Sequence, residues 1–205
     1  MDATPSIAAI VLAAGRATRF GGPKQLARVD GAALVQHAVD AAGGAGGDVV
    51  VVLGAYADEI ERALVLPPNA RIVRNPDFAD GQSTSLRAGV KAVGDGTDAV
   101  VVVLADQPGV TAADVRSVAD AFASTGRAVV RASYRGRPGH PVLFARRMFP
   151  ELLACAGDEG AREVVRRHEP DVVAAPIDRD LPGDVDTPGD LRALGGNVSP
   201  PGNAG

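Results

Sequence analysis

The segment Leu12-Ala13-Ala14-Gly15-Arg16-Ala17-Thr18-Arg19-Phe20-Gly21-Gly22-Pro23-Lys24 combines a glycine-rich loop with three cations, directly behind the apolar run Ile7 to Leu12. A buried strand ending in such a loop presents backbone N–H groups and positive side chains at one sheet edge, chemistry suited to a nucleoside triphosphate. Small residues at Ala13, Ala14 and Gly15 let a flat base lie close to the backbone, and Arg19 and Lys24 are placed to reach phosphates. No Gly-Lys-Ser/Thr follows the glycines and the pattern is not G-x-G-x-x-G, so this is a phosphate loop of a third kind.

Carboxylates supply the complementary chemistry. Asp106 opens Asp106-Gln107-Pro108 after a run of four valines and Leu104-Ala105. It reads either as a turn residue or as a ligand for a hard cation such as Mg²⁺. In Asp184-Val185-Asp186-Thr187-Pro188-Gly189-Asp190, Thr187, Pro188 and Asp190 have the spacing of N-cap, N1 and N3 of a final helix. Capping leaves Asp184 and Asp186, two apart on an extended segment, without a structural task. Mg²⁺ usually takes one or two carboxylates plus substrate phosphates, a demand that Asp106 and one of this pair would meet.

Asn75 to Arg87 is a polar loop entering a helix, with Ser83 as a candidate N-cap and first-turn N–H groups that favour an anion. His140 lies between Gly139 and Pro141, either a structural histidine or a pocket wall. With no triad partner and no second ligand spacing, it supports neither nucleophilic catalysis nor a zinc site. Arg162, in Asp158-Glu159-Gly160-Ala161-Arg162, faces a phosphate or solvent; His37 and His168 read as surface or packing residues, and Cys155 as a small core residue.

Positioning these groups requires a scaffold. The 205 residues are 46% hydrophobic, with five Phe, two Tyr and no Trp, enough for one sizeable core built mainly of Ala, Val and Leu. The net charge of −4 argues against a general nucleic-acid surface. The single cysteine excludes an intramolecular disulfide and any cysteine-based metal cluster, in keeping with a cytoplasmic protein. No apolar segment reaches the roughly 18 residues that a membrane span needs. Strands are expected at 7–12, 48–53, 70–74, 98–104, 128–133 and 171–175, and helices at 32–42, 57–65, 84–93, 111–124, 146–154, 160–168 and 188–194. This alternation, with near-continuous valine runs, predicts an α/β fold with a mostly parallel, doubly wound sheet and helices on both faces. The stretch 134–144 reads as a turn into an extra strand. One domain is expected over 1–194, followed by a disordered tail over 195–205. In such sheets ligands bind beyond the carboxyl ends of the strands, where the loop after Leu12, Asn75 and Asp106 all fall.

The combined pattern resembles the MobA-like nucleotidyltransferases through Leu-Ala-Ala-Gly-x₃-Arg-x-Gly-x₂-Lys at 12–24. Asn75-Pro76, Gly81-Gln82-Ser83-Thr84-Ser85, Asp106-Gln107-Pro108, Gly139-His140-Pro141-Val142, Gly157 to Arg162 and Asp184 to Pro188 are similar, in that order, to the molybdenum cofactor cytidylyltransferase branch. The resemblance runs from Ile7 to Leu194. Gln107 departs from it, since some members carry Met or another residue there.

The resemblance implies a Rossmann-like nucleotidyltransferase fold. It implies an NTP held by Leu12, Ala13, Ala14, Gly15, Arg19 and Lys24 with Gln82, Ser83 and Ser85, and Mg²⁺ (or Mn²⁺) held by Asp106 with Asp186 or Asp184. Arg19, Lys24 and Asp106 would carry catalysis, and His140, Gly160 and Arg162 would line the acceptor pocket. Ala14 is Gly in the guanylyl relatives, so the implied nucleotide is CTP, the implied acceptor molybdopterin, and a molybdoenzyme the implied transient recipient. The rivals are GTP as donor, a sugar or polyol phosphate as acceptor, a non-catalytic molybdopterin chaperone, and a glycine-rich loop that is only a tight turn.

Overall fold

A computed structural model describes residues 4–197. Seven strands form one sheet in the order β5-β4-β1-β6-β8-β7-β9: β1 (Ile7–Ala13), β4 (Val49–Leu53), β5 (Ala70–Arg74), β6 (Ala99–Leu104), β7 (Val129–Tyr134), β8 (Arg137–Ala145) and β9 (Val173–Ile177). β5, β4, β1 and β6 run parallel, while β8 lies antiparallel between β6 and β7. The helices are α1 (Leu34–Ala42), α2 (Ala57–Ala63), α3 (Gln82–Ala92), α4 (Ala112–Thr125), α5 (Phe149–Ala154), α6 (Arg162–Arg167) and α7 (Pro188–Ala193).

The valine runs form the central strands because both faces are covered. Successive side chains alternate, so Ala9, Val11 and Ala13 enter one core with α1 and α4, while Ala8 and Ile10 enter a second with α3, α5 and α6. Cys155 is buried in the second core. The extra strand expected after residue 134 is β8, reached through a turn at Arg135 and Gly136, both at positive φ. Its pairing with β7 shifts register between Arg131, opposite Val142, and Ala132, opposite Gly139, so His140 and Pro141 form the irregularity. The last strand starts two residues later than expected, because Glu169–Asp171, with Pro170, closes a 3₁₀ turn.

One short element has no counterpart in the sequence expectations. β2 (Arg28–Val29) and β3 (Ala32–Ala33) form a hairpin, so the helix expected from residue 32 begins only at Leu34. Its turn is Asp30-Gly31, both at positive φ, the pairing that two-residue hairpins favour. Phe20, Ala27, Val29, Leu34, Val185 and Leu191 make a third small core that ties this hairpin to the segment before α7. Asn197 pairs with Arg28 through two backbone hydrogen bonds of 2.8 and 2.9 Å. The expected tail is therefore held as far as Asn197, and 198–205 lie outside the described residues. Among the described residues no helix is long and apolar enough to cross a membrane.

Candidate active site

The chain leaves β1 for β4 on one side and returns to β6 on the other, so the order reverses at the carboxyl end of β1. A crevice at such a reversal is where doubly wound sheets bind ligands. Here it is a cleft of about 460 Å³ floored by residues 12–19, with Lys24, Ser85, Asp106 and Asp186 in its walls. The loop bends at Ala17, whose φ of 52° is unusual for a side-chain-bearing residue. Its carbonyl accepts from the N–H groups of Phe20 and Gly21, which turns the chain back toward Lys24.

Lys24 stands at the centre of the charged cluster. Its side chain is only 13% exposed. Nζ donates to Asp106 Oδ2 at 3.0 Å, Asp186 Oδ1 at 3.1 Å and the Val185 carbonyl at 2.9 Å. All three ammonium protons are thus engaged. Arg19 donates to Asp186 Oδ2 at 2.9 Å from a largely exposed position. Asp186 is held below the usual carboxylate range, chiefly by the Lys24 hydrogen bond and further by Arg19, against the opposing effect of burial.

Local structure explains why Asp186 reaches this cluster. Val185 is fully buried in the third core, and its N–H donates to the Asp106 carbonyl at 2.8 Å. The flanking carboxylates then part. Asp186 meets Lys24, whereas Asp184 accepts from Gln107 Nε2 at 2.5 Å. Asp184 therefore does not join the Lys24 cluster, and of the two carboxylates only Asp186 meets Asp106 there. The expected cap is present: Thr187 and Asp190 form a reciprocal capping box on α7. Asp190 Oδ2 accepts from the N–H groups of Asp186 and Thr187 and from the Thr187 hydroxyl, which lowers its pKa. Thr187→Ala should cost about 1 kcal/mol and lower Tm by roughly 2–4 °C. A melting curve checks this, and an unchanged Tm would mean that the box does not hold this segment.

Ser83 is displaced from its expected role. Gly81 is the N-cap of α3, and Ser83 sits inside the first turn, fully buried, with its hydroxyl unpartnered. The N–H groups of Ser83 and Thr84 are spent on the carbonyls of Gly157 and Gly81, so neither is offered to an anion. Ser85 does line the cleft; its Oγ and that of Thr84 accept from the buried Asn75 side chain at 2.9 and 2.8 Å.

A second cavity of about 370 Å³ lies beyond Gln82. It shares Leu12, Gln82 and Leu104 with the first and is walled largely by apolar residues, including Val102, Val142 and Phe144. His140 and Arg162 face this cavity. His140 Nδ1 is buried without a partner, and burial lowers the pKa of the ring. The Tyr134 hydroxyl donates to the His140 carbonyl at 2.7 Å and fixes the segment. Gly160 is not in the wall itself; a Cβ there would lie 2.8 Å from Gln82 Oε1, so its small size leaves room for that amide. His37 and His168 are absorbed in contacts to the Val29 carbonyl and to Glu151.

The sequence reading missed Gln25. It is 3% exposed and lies in the floor of the first cleft. Its position beside Lys24 was the available signal, yet nothing local distinguishes a buried glutamine from a surface one.

The fold is that of a nucleotidyltransferase. Residues 9–172 match the MobA-like NTP transferase domain, and the chain belongs to that family. It is 30% identical to the 2-C-methyl-D-erythritol 4-phosphate cytidylyltransferase of Roseobacter denitrificans, over 87% of this chain and 93% of that protein. It is 26% identical to the molybdenum cofactor cytidylyltransferase of Escherichia coli, over 69% of this chain and 71% of that protein. Several bifunctional relatives are matched over only 20–23% of their own length. The crystal structure of Rv0371c from Mycobacterium tuberculosis superposes with a TM-score of 0.83 at 31% identity, covering 94% of this chain and 98% of that one. The same protein has also been solved in complex with manganese.

Proposed function

We propose that this chain transfers CMP from CTP to the phosphate of molybdopterin and releases pyrophosphate. The observation that carries the reading is the pair of clefts meeting at Leu12, Gln82 and Leu104: one with Arg16, Arg19 and Lys24 beside Asp106, Asp158 and Asp186, the other largely apolar with Arg162 facing it. The first suits a nucleoside triphosphate, the second a flat heterocycle bearing a phosphate. Substrates so held would meet across the shared wall, with an acceptor phosphate beside the α-phosphate, the proximity that a two-substrate transfer requires.

In the reaction an acceptor phosphate oxygen attacks the α-phosphorus. The new O–P bond forms as the bond to the departing pyrophosphate breaks. A phosphate monoester, with a second pKa of about 6, is already largely dianionic at neutral pH, so no general base is needed. The barrier is the approach of one anion to another. Lys24 and Arg19 would lower it by turning from their carboxylates to the phosphates. His140, neutral in its buried setting, would act as wall and hydrogen-bonding group for the acceptor, with Arg162 at its phosphate.

Asp106 and Asp186 would hold a divalent cation. Two hard oxygen donors already gather a cation, the Lys24 ammonium, and their charge and chemistry suit Mg²⁺ or Mn²⁺. Among the described residues no group of three or more His, Cys, Asp or Glu is placed to hold a metal, so substrate phosphates and water would complete the coordination. When bound, the ion supplies neutralisation of phosphate charge. The manganese complex of Rv0371c supports a divalent ion in this fold.

The Roseobacter relative favours a second reading, a polyol phosphate as acceptor; the apolar second cleft weighs against it. The deciding experiment measures pyrophosphate release by the purified protein with Mg²⁺ or Mn²⁺, pairing CTP or GTP with molybdenum-loaded molybdopterin or 2-C-methyl-D-erythritol 4-phosphate. Release only with CTP and molybdopterin is expected. Release with the polyol phosphate would change the acceptor, and release with GTP would change the base. Molybdopterin binding without release under any nucleotide would favour a chaperone.

A further inference from the structure

We infer, resting on the acceptor role proposed for His140, that Tyr134 is a positioning residue of the second cleft and holds His140 where an acceptor molecule would meet it. Where β8 passes this cavity its ladder is interrupted. The β6–β8 pairing ends at Val102 opposite Val142, and the β7–β8 pairing resumes only at Ala132 opposite Gly139. His140 and Pro141 lie between, with no partner in either register, and Pro141 has no N–H to donate. A side chain takes over from the ladder: the Tyr134 hydroxyl donates to the His140 carbonyl at 2.7 Å.

Tyr134 can hold that carbonyl because it is itself fixed on several sides. It is fully buried. The Arg179 guanidinium lies over its ring, 5.0 Å from the centroid. Arg179 in turn donates to both carboxylate oxygens of the buried Asp114 and, at 2.9 Å, to the Gly109 carbonyl. Gly139 completes the arrangement: a Cβ there would lie 3.1 Å from two carbons of the Tyr134 ring and would also strike Leu181. Burial, and after it the Asp114 charge, pushes the Tyr134 ionisation upward, so the hydroxyl keeps the proton it donates.

His140 is a residue for which such support matters. It faces the second cavity, and its Nδ1 is buried with no partner among the described residues. A buried polar atom left unpaired is costly, so a ligand group that pairs with it gains affinity, provided the two come within hydrogen-bond reach. Misplacing a contact group by about 1 Å can cost on the order of 10²-fold. Tyr134 is not in the cavity wall, so its influence on a ligand there runs through His140.

Tyr134→Phe removes the hydroxyl and keeps the ring beneath Arg179. With CTP and molybdopterin as substrates, the KM for the acceptor should rise about 10-fold. The KM for CTP should stay unchanged, since Tyr134 does not line the nucleotide cleft. In a His140→Ala background the same substitution should have no further effect on the acceptor KM, because its route of action is gone. A fall in kcat with both KM values unchanged, or an equal rise in acceptor KM with and without His140, would overturn the inference and leave Tyr134 a core support. Should Tyr134→Phe fail to fold, Arg179→Lys carries the same cycle: it keeps a charge beside Asp114 and withdraws the planar group from the Tyr134 ring. His140→Ala alone tests the underlying reading. If it leaves the acceptor KM unchanged, His140 does not meet the acceptor, and that reading falls together with the role of Tyr134. If it raises the acceptor KM while Tyr134→Phe does not, only the role of Tyr134 falls. The polyol phosphate replaces molybdopterin if it proves to be the substrate, and the dissociation constant replaces KM if molybdopterin binds without turnover.

Discussion

Asp106→Asn should reduce CTP-dependent pyrophosphate release about 10²–10³-fold, the size of effect seen when one preorganised electrostatic contact is removed from an active site. Asparagine preserves the shape and removes the charge. The residue follows β6, and its carbonyl accepts from the Val185 N–H, so the backbone should keep its place when the side chain changes. The cores are also untouched, because Asp106 belongs to none of them. Loss of the Asp106–Lys24 pair should cost about 0.5–1 kcal/mol at most, since Lys24 retains Asp186 and the Val185 carbonyl. Turnover assays run beside melting curves separate the two effects. Near-full turnover from a folded variant would remove Asp106 from the chemistry.

Lys24→Met should produce a comparable loss of turnover, about 10²–10³-fold, together with a pH signature that Asp106→Asn does not share to the same degree. Lys24 is the largest cause of the lowered Asp186 pKa. A carboxylate whose folded pKa lies below its unfolded value near 3.9 stabilises the fold above that value. The stabilisation is lost as pH falls through the lowered folded pKa. Replacing Lys24 removes it, so the natural protein should exceed the variant in urea stability at neutral pH, and the gap should close as acid protonates Asp186. Unfolding curves at pH 7 and pH 3 would read this directly. A gap of equal size at both pH values would show that Lys24 contributes by packing its stem rather than by charge. Methionine retains most of that stem, so charge is the variable the substitution isolates.

Much of the scaffold was legible because its causes are local. The unbroken apolar runs at 7–12, 49–53 and 99–104 leave no polar face, and only strands covered on both sides bury them fully. The Thr187-Pro188-x-Asp190 spacing carries its own capping chemistry and forms the expected box. The β2–β3 hairpin was not read from the sequence although Asp30-Gly31 suits its turn, because strands of two residues each are too short for a periodic signal.

The candidate site divides along the same line. The sequence by itself determined which residue types gather at the carboxyl ends of the strands: a glycine-rich loop, three cations and a set of aspartates. Tertiary structure decided which of them meet. Lys24 contacts Asp106 and Asp186 across 82 and 162 residues of chain, distances over which no periodicity carries information. Burial of Val185 in a core shared with Phe20 and Leu34 turns Asp186 toward Lys24 and leaves Asp184 with Gln107. Packing likewise buries Ser83 under the Gly157 loop and brings Gln25 beneath the carbonyls of Ala13 and Gly15. Local pattern fixes what a strand, loop or cap can be; long-range burial fixes which polar atoms are left to face a ligand, because each buried donor must find its acceptor wherever the packed chain places one.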